Sequence, residues 1–315
     1  MVDVIMPLFS VYGSARGRRT VRMVYWCKLA TEMDVLDLQS FVAPLLQLCR
    51  EAGDVICEHY NAPGADQYEA KGDASPLTRA DLDSHALLQA GLTALPPTIP
   101  VLSEESSAAD QAQRLSWDRY WLVDPLDGTM EFLARTGEFT INIALISHHQ
   151  PVLGLLYLPL ERVAYLGIPG VEACRYSCTD NGGWINSELT TRRLEPGAPV
   201  TVLASRRHGG PRLQACIEWL EGQWGPVARL NSGSALKFCQ LAEGAGDLYP
   251  RFSPCCEWDT AAGQAVLEAA GGCLLDMAGQ PLRYNCQDSL LSPHFYAIAD
   301  AGHALWQRLL SRQLA

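Results

Sequence analysis

The chain has 315 residues, 48% hydrophobic and 19% charged, with 24 Lys and Arg against 35 Asp and Glu and a formal net charge of -11. Such a composition predicts a large buried core, and its acidic balance excludes a charge-driven hold on a nucleic-acid polymer, which needs a broad basic face. No run reaches the roughly 18 apolar residues of a membrane span, and eleven cysteines without zinc-type paired spacing read as reduced thiols of a cytoplasmic protein.

Residues 1–33 differ from the rest, with Arg16, Arg18, Arg19, Arg22 and Lys28 against one acid, Asp3, before Thr31. They read as a disordered tail or an extension upstream of a start at Met33. From Leu38 to His59 apolar residues recur every three to four positions, which predicts an amphipathic helix ended by Asn61-Ala62-Pro63-Gly64. A second helix is predicted from Ala80 to Leu95, before Pro96-Pro97. Strands are predicted at Val101-Leu102, Tyr120 to Val123, Phe139 to Ile146, Val152 to Tyr157 and Val163 to Leu166, so residues 34–195 read as an α+β domain. Thr190 to Pro199 has linker composition. Beyond it, strands at Val200 to Ala204 and Val227 to Leu230 alternate with helices around Arg212 to Trp219 and from Ala235, so residues 196–315 read as an α/β domain.

Three acidic stations carry the chemistry. In Trp121-Leu122-Val123-Asp124-Pro125-Leu126-Asp127-Gly128-Thr129 an apolar strand runs into two carboxylates. Pro125 keeps Asp124 out of helix and Gly128 permits a tight turn, so Asp124, Asp127 and the Leu126 carbonyl can converge as hard oxygen ligands for magnesium. A helix predicted over Met130 to Arg135 puts the Gly128 and Thr129 amides at its amino end, where phosphate oxygens bind. The alternative is an ordinary turn with one capping and one solvated aspartate. Glu104-Glu105-Ser106 again follows an apolar pair, with a solvated loop as its alternative. Asp259, in Glu257-Trp258-Asp259-Thr260-Ala261-Ala262-Gly263, precedes an Ala-rich helix that Gly271-Gly272 can end, and a plain N-cap is its alternative.

Taken together and in this order, the three stations resemble the signatures of the inositol monophosphatase superfamily of metal-dependent, lithium-sensitive phosphatases. Lys71 to Thr78, Gly137 to Ala144, Gly233 to Cys239 and Leu248 to Phe252 are similar to its 3'(2'),5'-bisphosphate nucleotidase branch. The resemblance covers Leu36 to the carboxyl terminus and implies an α/β fold, a layered αβαβα sandwich with the site between its two halves. It implies that Glu104, Asp124 and the Leu126 carbonyl hold one Mg2+ and that Asp124, Asp127 and Asp259 hold a second. Glu104 and Thr129 would orient the attacking water, and Asp81 would support that water and a third, weaker metal; a helix-capping acid is its alternative.

The implied substrate is a small nucleotide bisphosphate, adenosine 3',5'-bisphosphate or its sulfated form; inositol monophosphate and fructose 1,6-bisphosphate are the alternatives within the superfamily, and a catalytically idle binding relative a remoter one. Gly128, Ser234, Lys237, Arg251 and His208 join the metal ligands as substrate contacts, with Arg206 a further cation nearby. Each cation has a plainer reading: His208 a surface loop, Lys237 a solvated helix lysine, Arg251 a partner for a carboxylate. Met130 departs from the branch, where lysine is usual, which bears on phosphate affinity. The implied location is the cytoplasm or the cytoplasmic face of a membrane.

Overall fold

The computed structural model describes residues 36–63, 67–71, 76–207 and 209–312, with Ala108 and Ala109 described by their backbone alone; the extension expected over residues 1–33 lies outside them. Asp37 caps a 3-10 turn, Leu38–Phe41, by accepting the Gln39 amide, and α1 (Val42–Asn61) follows. Its buried stripe of Leu45, Cys49, Ala52 and Ile56 packs beside α2 (Arg79–Ala94). The predicted helices are therefore present, each shifted by a few residues at the ends where caps decide.

Behind a two-stranded ribbon of β1 (Glu69–Ala70) and β2 (Pro76–Leu77), a seven-stranded sheet runs in chain order. Its strands are β3 (Val101–Ser103), β4 (Arg119–Asp127), β5 (Thr140–Ser147), β6 (Gln150–Leu158), β7 (Val163–Ile168), β8 (Glu172–Cys178) and β9 (Trp184–Glu188). The first pair is parallel and the rest antiparallel. Short helices α3 (Ala108–Gln113) and α4 (Thr129–Leu133) flank β4. The strand predicted from Tyr120 to Val123 is longer: β4 continues to Asp127. Asp124 pairs with Asn142 and Asp127 with Thr140, so one extra β4 residue is accommodated as a bulge. Pro125, which has no N–H to give a ladder, falls inside it.

The second sheet holds β10 (Val200–Ser205), β11 (Val227–Ser232), β12 (Leu248–Arg251), β13 (Cys273–Asp276) and β14 (Phe295–Ile298), in the order β11-β10-β12-β14-β13. Outside it, α5 (Pro211–Gln223) and α8 (Ala304–Leu310) bury Leu213, Leu220, Trp306 and Leu309 against Val202, Leu248 and Ile298. Between the sheets, α6 (Leu236–Ala242) and α7 (Ala261–Ala269) bring Phe238, Leu241, Val266 and Leu267 into one core with Leu122, Ile146, Leu156, Leu274 and Phe295. With α1 and α2 on the far face of the seven-stranded sheet, the layers are α, β, α, β, α, as the resemblance implied.

The seat of α7 fixes where the site forms. A Cβ on Gly154 of β6 would lie 2.4 Å from the Ala262 carbonyl oxygen, and one on Gly167 of β7 2.4 Å from the Val266 Cα. Only glycine at both positions lets the helix backbone lie this close to the sheet. The amino end of α7 is thereby held over β5 and β6, beside the β4 bulge. Among the described residues no helix is long and apolar enough to cross a membrane.

Candidate active site

Asp124, Asp127 and Asp259 converge: one carboxylate oxygen from each lies within 4.8 Å of the others. Asp124, 2% exposed at the bulge of β4, accepts the Leu126 amide on Oδ1 at 3.0 Å. Asp127 is aimed by three donors on Oδ2: Ala235 N at 2.7 Å, Ser234 Oγ at 2.7 Å and Asn142 Nδ2 at 3.3 Å. Ser234 also meets Thr140 Oγ1 at 2.7 Å and sits at φ 47° in the turn before α6. Asp259 ends a 3-10 turn, Glu257–Asp259, and its Oδ2 accepts Cys256 N at 2.8 Å, while the Cys256 thiol accepts the Asp259 amide. Asp259 is thus a capping acid, and the cap is what points it into the cluster. The same reciprocal cap accounts for Cys256, whose residue type carried no signal in the sequence.

The cluster is short of positive charge. Burial, then the charges of Glu104, Asp127 and Asp259, push the Asp124 carboxyl well above the ordinary range. Burial and Asp127 push Asp259 up to about 7. Among the described residues no Lys or Arg forms an ion pair with any of the three aspartates. Buried carboxylates so disposed are stable as anions only with a cation among them, and an all-oxygen donor set suits a hard divalent ion. The residues therefore fit a metal.

Glu104 follows β3, its amide bonded to the Val123 carbonyl at 3.0 Å, and opens on the same cavity as Asp127 and Asp259. It stands apart from the three-aspartate group. Lys71 Nζ bridges Glu104 Oε1 at 2.7 Å and Glu105 Oε1 at 2.5 Å, so the solvated-loop alternative for this pair does not hold. Asp81 serves two ends at once. Oδ2 accepts the Thr78 amide at 2.7 Å and hydroxyl at 2.5 Å, which caps α2, and Oδ1 accepts the Thr129 hydroxyl at 3.2 Å. Thr129 Oγ1 is also 3.3 Å from the Leu126 carbonyl. Gly128, the N-cap of α4 at φ 92°, makes the turn that brings Thr129 back over Asp81.

Asp127 and Asp259 line a cavity of about 190 Å³ that also touches Ser205, Arg207, Lys237 and Arg251. A second cavity of about 310 Å³ between Pro211, Arg212, Phe252 and Ser253 shares Ser205, Tyr249 and Arg251 with it. Lys237 is 1% exposed, which rules out the solvated-lysine reading: Nζ donates to the Ser232 and Ser234 carbonyls at 3.1 and 2.6 Å, 5.0 Å above the Tyr249 ring. Burial pulls its pKa down to about 8. Among the described residues Arg251 forms no ion pair with a carboxylate; it donates to the Ser253 and Pro254 carbonyls and to the Tyr249 hydroxyl. Arg206 is turned to Glu138 by a two-pronged pair at 2.7 and 2.6 Å. His208 lies outside the described residues. Asn142, Lys71, Cys256 and Arg207 were not assigned roles from the sequence; Lys71 and Asn142 lay within the segments Lys71 to Thr78 and Gly137 to Ala144 that carried the resemblance.

A five-layer sandwich with a carboxylate cluster at a strand bulge and a helix amino end is the architecture of metal-dependent phosphatases. The chain belongs to the inositol monophosphatase family, whose model matches residues 37–310. The 3'(2'),5'-bisphosphate nucleotidase CysQ of Escherichia coli K12 is 44% identical over 249 residues, 79% of this chain and 96% of that protein. CysQ of Buchnera aphidicola is 36% identical over 262 residues, 81% and 92% of the two chains. The crystal structure of CysQ from Bacteroides thetaiotaomicron, described as a bacterial member of the inositol monophosphatase family, matches with a TM-score of 0.73 at 38% identity, over 84% of this chain and 98% of that one.

Proposed function

We propose that this chain is a magnesium-dependent 3'(2'),5'-bisphosphate nucleotidase that hydrolyses adenosine 3',5'-bisphosphate to AMP and phosphate, and its sulfated form likewise. The observation that carries the reading is the convergence of Asp124, Asp127 and Asp259; the 44% identity to the E. coli nucleotidase over nearly all of its length supports the substrate. Asp124, Asp127 and Asp259 would hold one Mg2+, and Glu104, Asp124 and the Leu126 carbonyl another, with Asp81 beside a third, weaker position. When bound, such ions activate water and neutralise charge on the transferring phosphoryl group and the leaving oxygen.

The chain's own groups then supply orientation. Asp81 accepts the Thr129 proton, which leaves the Thr129 oxygen lone pairs to receive a proton of the attacking water. Glu104, braced by Lys71, is the second acceptor for that water. The first-turn amides of α4 have no partners inside the helix and point to where phosphate oxygens would lie. Ser234, Lys237 and Arg251 border the remaining space, where the leaving nucleoside would sit. Every described cysteine is unpaired, which supports a reducing cytoplasm as the place of action. The test is phosphate release with Mg2+ from adenosine 3',5'-bisphosphate, inositol 1-phosphate and fructose 1,6-bisphosphate. The nucleotide should be preferred by orders of magnitude in kcat/KM, and preference for either sugar phosphate overturns the assignment.

A further inference from the structure

Of the two adjacent arginines after β10, only one faces the site. Arg206 turns away to Glu138, whereas Arg207 lines the same cavity as Asp127, Thr129 and Asp259. Its guanidinium is held in place: Nε donates to Glu131 Oε1 at 2.8 Å and Nη2 to the Met130 carbonyl at 3.2 Å. Glu131 is itself wedged, since a Cβ on Gly233 would lie 2.7 Å from its Cγ. Arg207 has five N–H donors; two are taken by these partners, and its side chain remains 40% exposed at the cavity mouth. A guanidinium fixed on one edge with the opposite edge open is a pre-set fork for a phosphate.

We infer that Arg207 determines specificity for a doubly phosphorylated substrate by binding the phosphate that is not transferred. The inference rests on the phosphatase reading above and deepens it. The transferred group belongs over the aspartates and Thr129. Arg207 reaches instead to the Met130 carbonyl, on the outer side of the first turn of α4, and so meets a second anion at the mouth. The α4 residue at this edge is Met130, an apolar side chain that is 44% exposed and lines the same cavity. Helix α4 therefore contributes no cation there, and the charge comes across the gap from the β10 turn. Lys237 and Arg251 line the cavity too but do not duplicate it, because their donors are engaged: Lys237 Nζ holds the Ser232 and Ser234 carbonyls, and Arg251 holds the Ser253 and Pro254 carbonyls and the Tyr249 hydroxyl.

The test compares kcat/KM for adenosine 3',5'-bisphosphate and adenosine 3'-monophosphate in the full chain with Mg2+. Arg207→Ala should lower the bisphosphate value about 10- to 100-fold, as for loss of a charge-assisted contact, and the monophosphate value less than about 3-fold. Arg207→Ala combined with Met130→Lys restores a cation but not the tie to Glu131. It should recover most of the lost preference, which a merely structural role for Arg207 would not allow. Equal losses on both substrates, no loss on either, or failure of the double variant to recover would each overturn the inference. If the wild type turns over another phosphomonoester and neither nucleotide, the substrate reading fails separately. The same ratio, measured on fructose 1,6-bisphosphate against fructose 1-phosphate, then decides the role of Arg207.

Discussion

Replacing Asp259 with Asn should make the metal-free protein more stable while nearly abolishing its activity. Asn preserves the shape and can still accept the Cys256 amide through Oδ1, so the 3-10 turn keeps its cap. What disappears is a charge that the fold disfavours: burial and Asp127 push the carboxyl from 3.8 to about 7. A group whose folded pKa is raised binds its proton more tightly in the folded chain. The contribution of Asp259 to stability is therefore greatest below about pH 4, falls as pH rises from there to about 7, and is level above. A rise from 3.8 to about 7 corresponds to at most about 4 kcal/mol, and relaxation of the empty site brings the expected gain at pH 8 to about 2 kcal/mol. For a chain of this size that is roughly 3 °C in Tm. Thermal melts with chelator at pH 4.5 and pH 8 should show the variant level with wild type at the lower pH and more stable at the higher. Added Mg2+ should reverse the order, and turnover should fall on the order of 10³-fold from loss of a charged ligand. A stability gap that does not change with pH, or a variant that melts lower at pH 8, would refute the claim that these carboxylates are held together against their own repulsion.

Gly167→Ala places a methyl 2.4 Å from the Val266 Cα and 2.6 Å from the Ala265 carbonyl oxygen, both backbone atoms. Urea titration should show a loss of about 3 kcal/mol, with reduced turnover because α7 seats the 3-10 turn that carries Asp259. Thr129→Val removes the hydroxyl between Asp81 and the Leu126 carbonyl and should lower kcat about 100-fold, while Thr129→Ser should retain most of it; steady-state assays separate the two. Arg206→Ala breaks a pair that is half exposed on the arginine side, so KM should change by less than about 3-fold. A larger change would mean that Arg206 leaves Glu138 for the substrate.

Legibility in the sequence followed periodicity and punctuation. The helices α1 and α2 and the strands β4 to β7 carry long apolar patterns, and β4 is buried on both faces from Tyr120 to Leu126, so its run reads at once. By contrast β9 is exposed along nearly its whole length, and β13 and β14 have four residues each. None of these is long or one-sided enough to show a period of two. At the site, Asp124, Asp127 and Asp259 stood out because each follows an apolar run and precedes a backbone break. The cations did not. Nothing in Ser205-Arg206-Arg207 says which arginine turns outward to Glu138 and which inward past Glu131, because both partners arrive from β4-to-β5 residues about seventy positions away. For Lys237 the solvated-lysine alternative stayed open for the same reason: the Tyr249 ring and the Ser232 carbonyl that bury it belong to neighbouring elements.

Each aspartate of the cluster accepts a main-chain amide from a different local structure. Asp124 takes Leu126 N within the β4 bulge, Asp127 takes Ala235 N at the start of α6, and Asp259 takes Cys256 N ahead of α7. Main-chain donors fix one oxygen of each carboxylate without neutralising it, and with an oxygen from each within 4.8 Å of the others their repulsion is met by no ion pair among the described residues. No cationic side chain could do the same, because a lysine or arginine in the cluster would occupy the volume and cancel the charge that draws a metal. The bulge, the Ser234 turn and the glycine-seated α7 come from the seven-stranded sheet and the middle helical layer. Metal affinity should therefore report how well those layers are docked, and substitutions at Gly154 or Gly167, remote from any ligand, should weaken it.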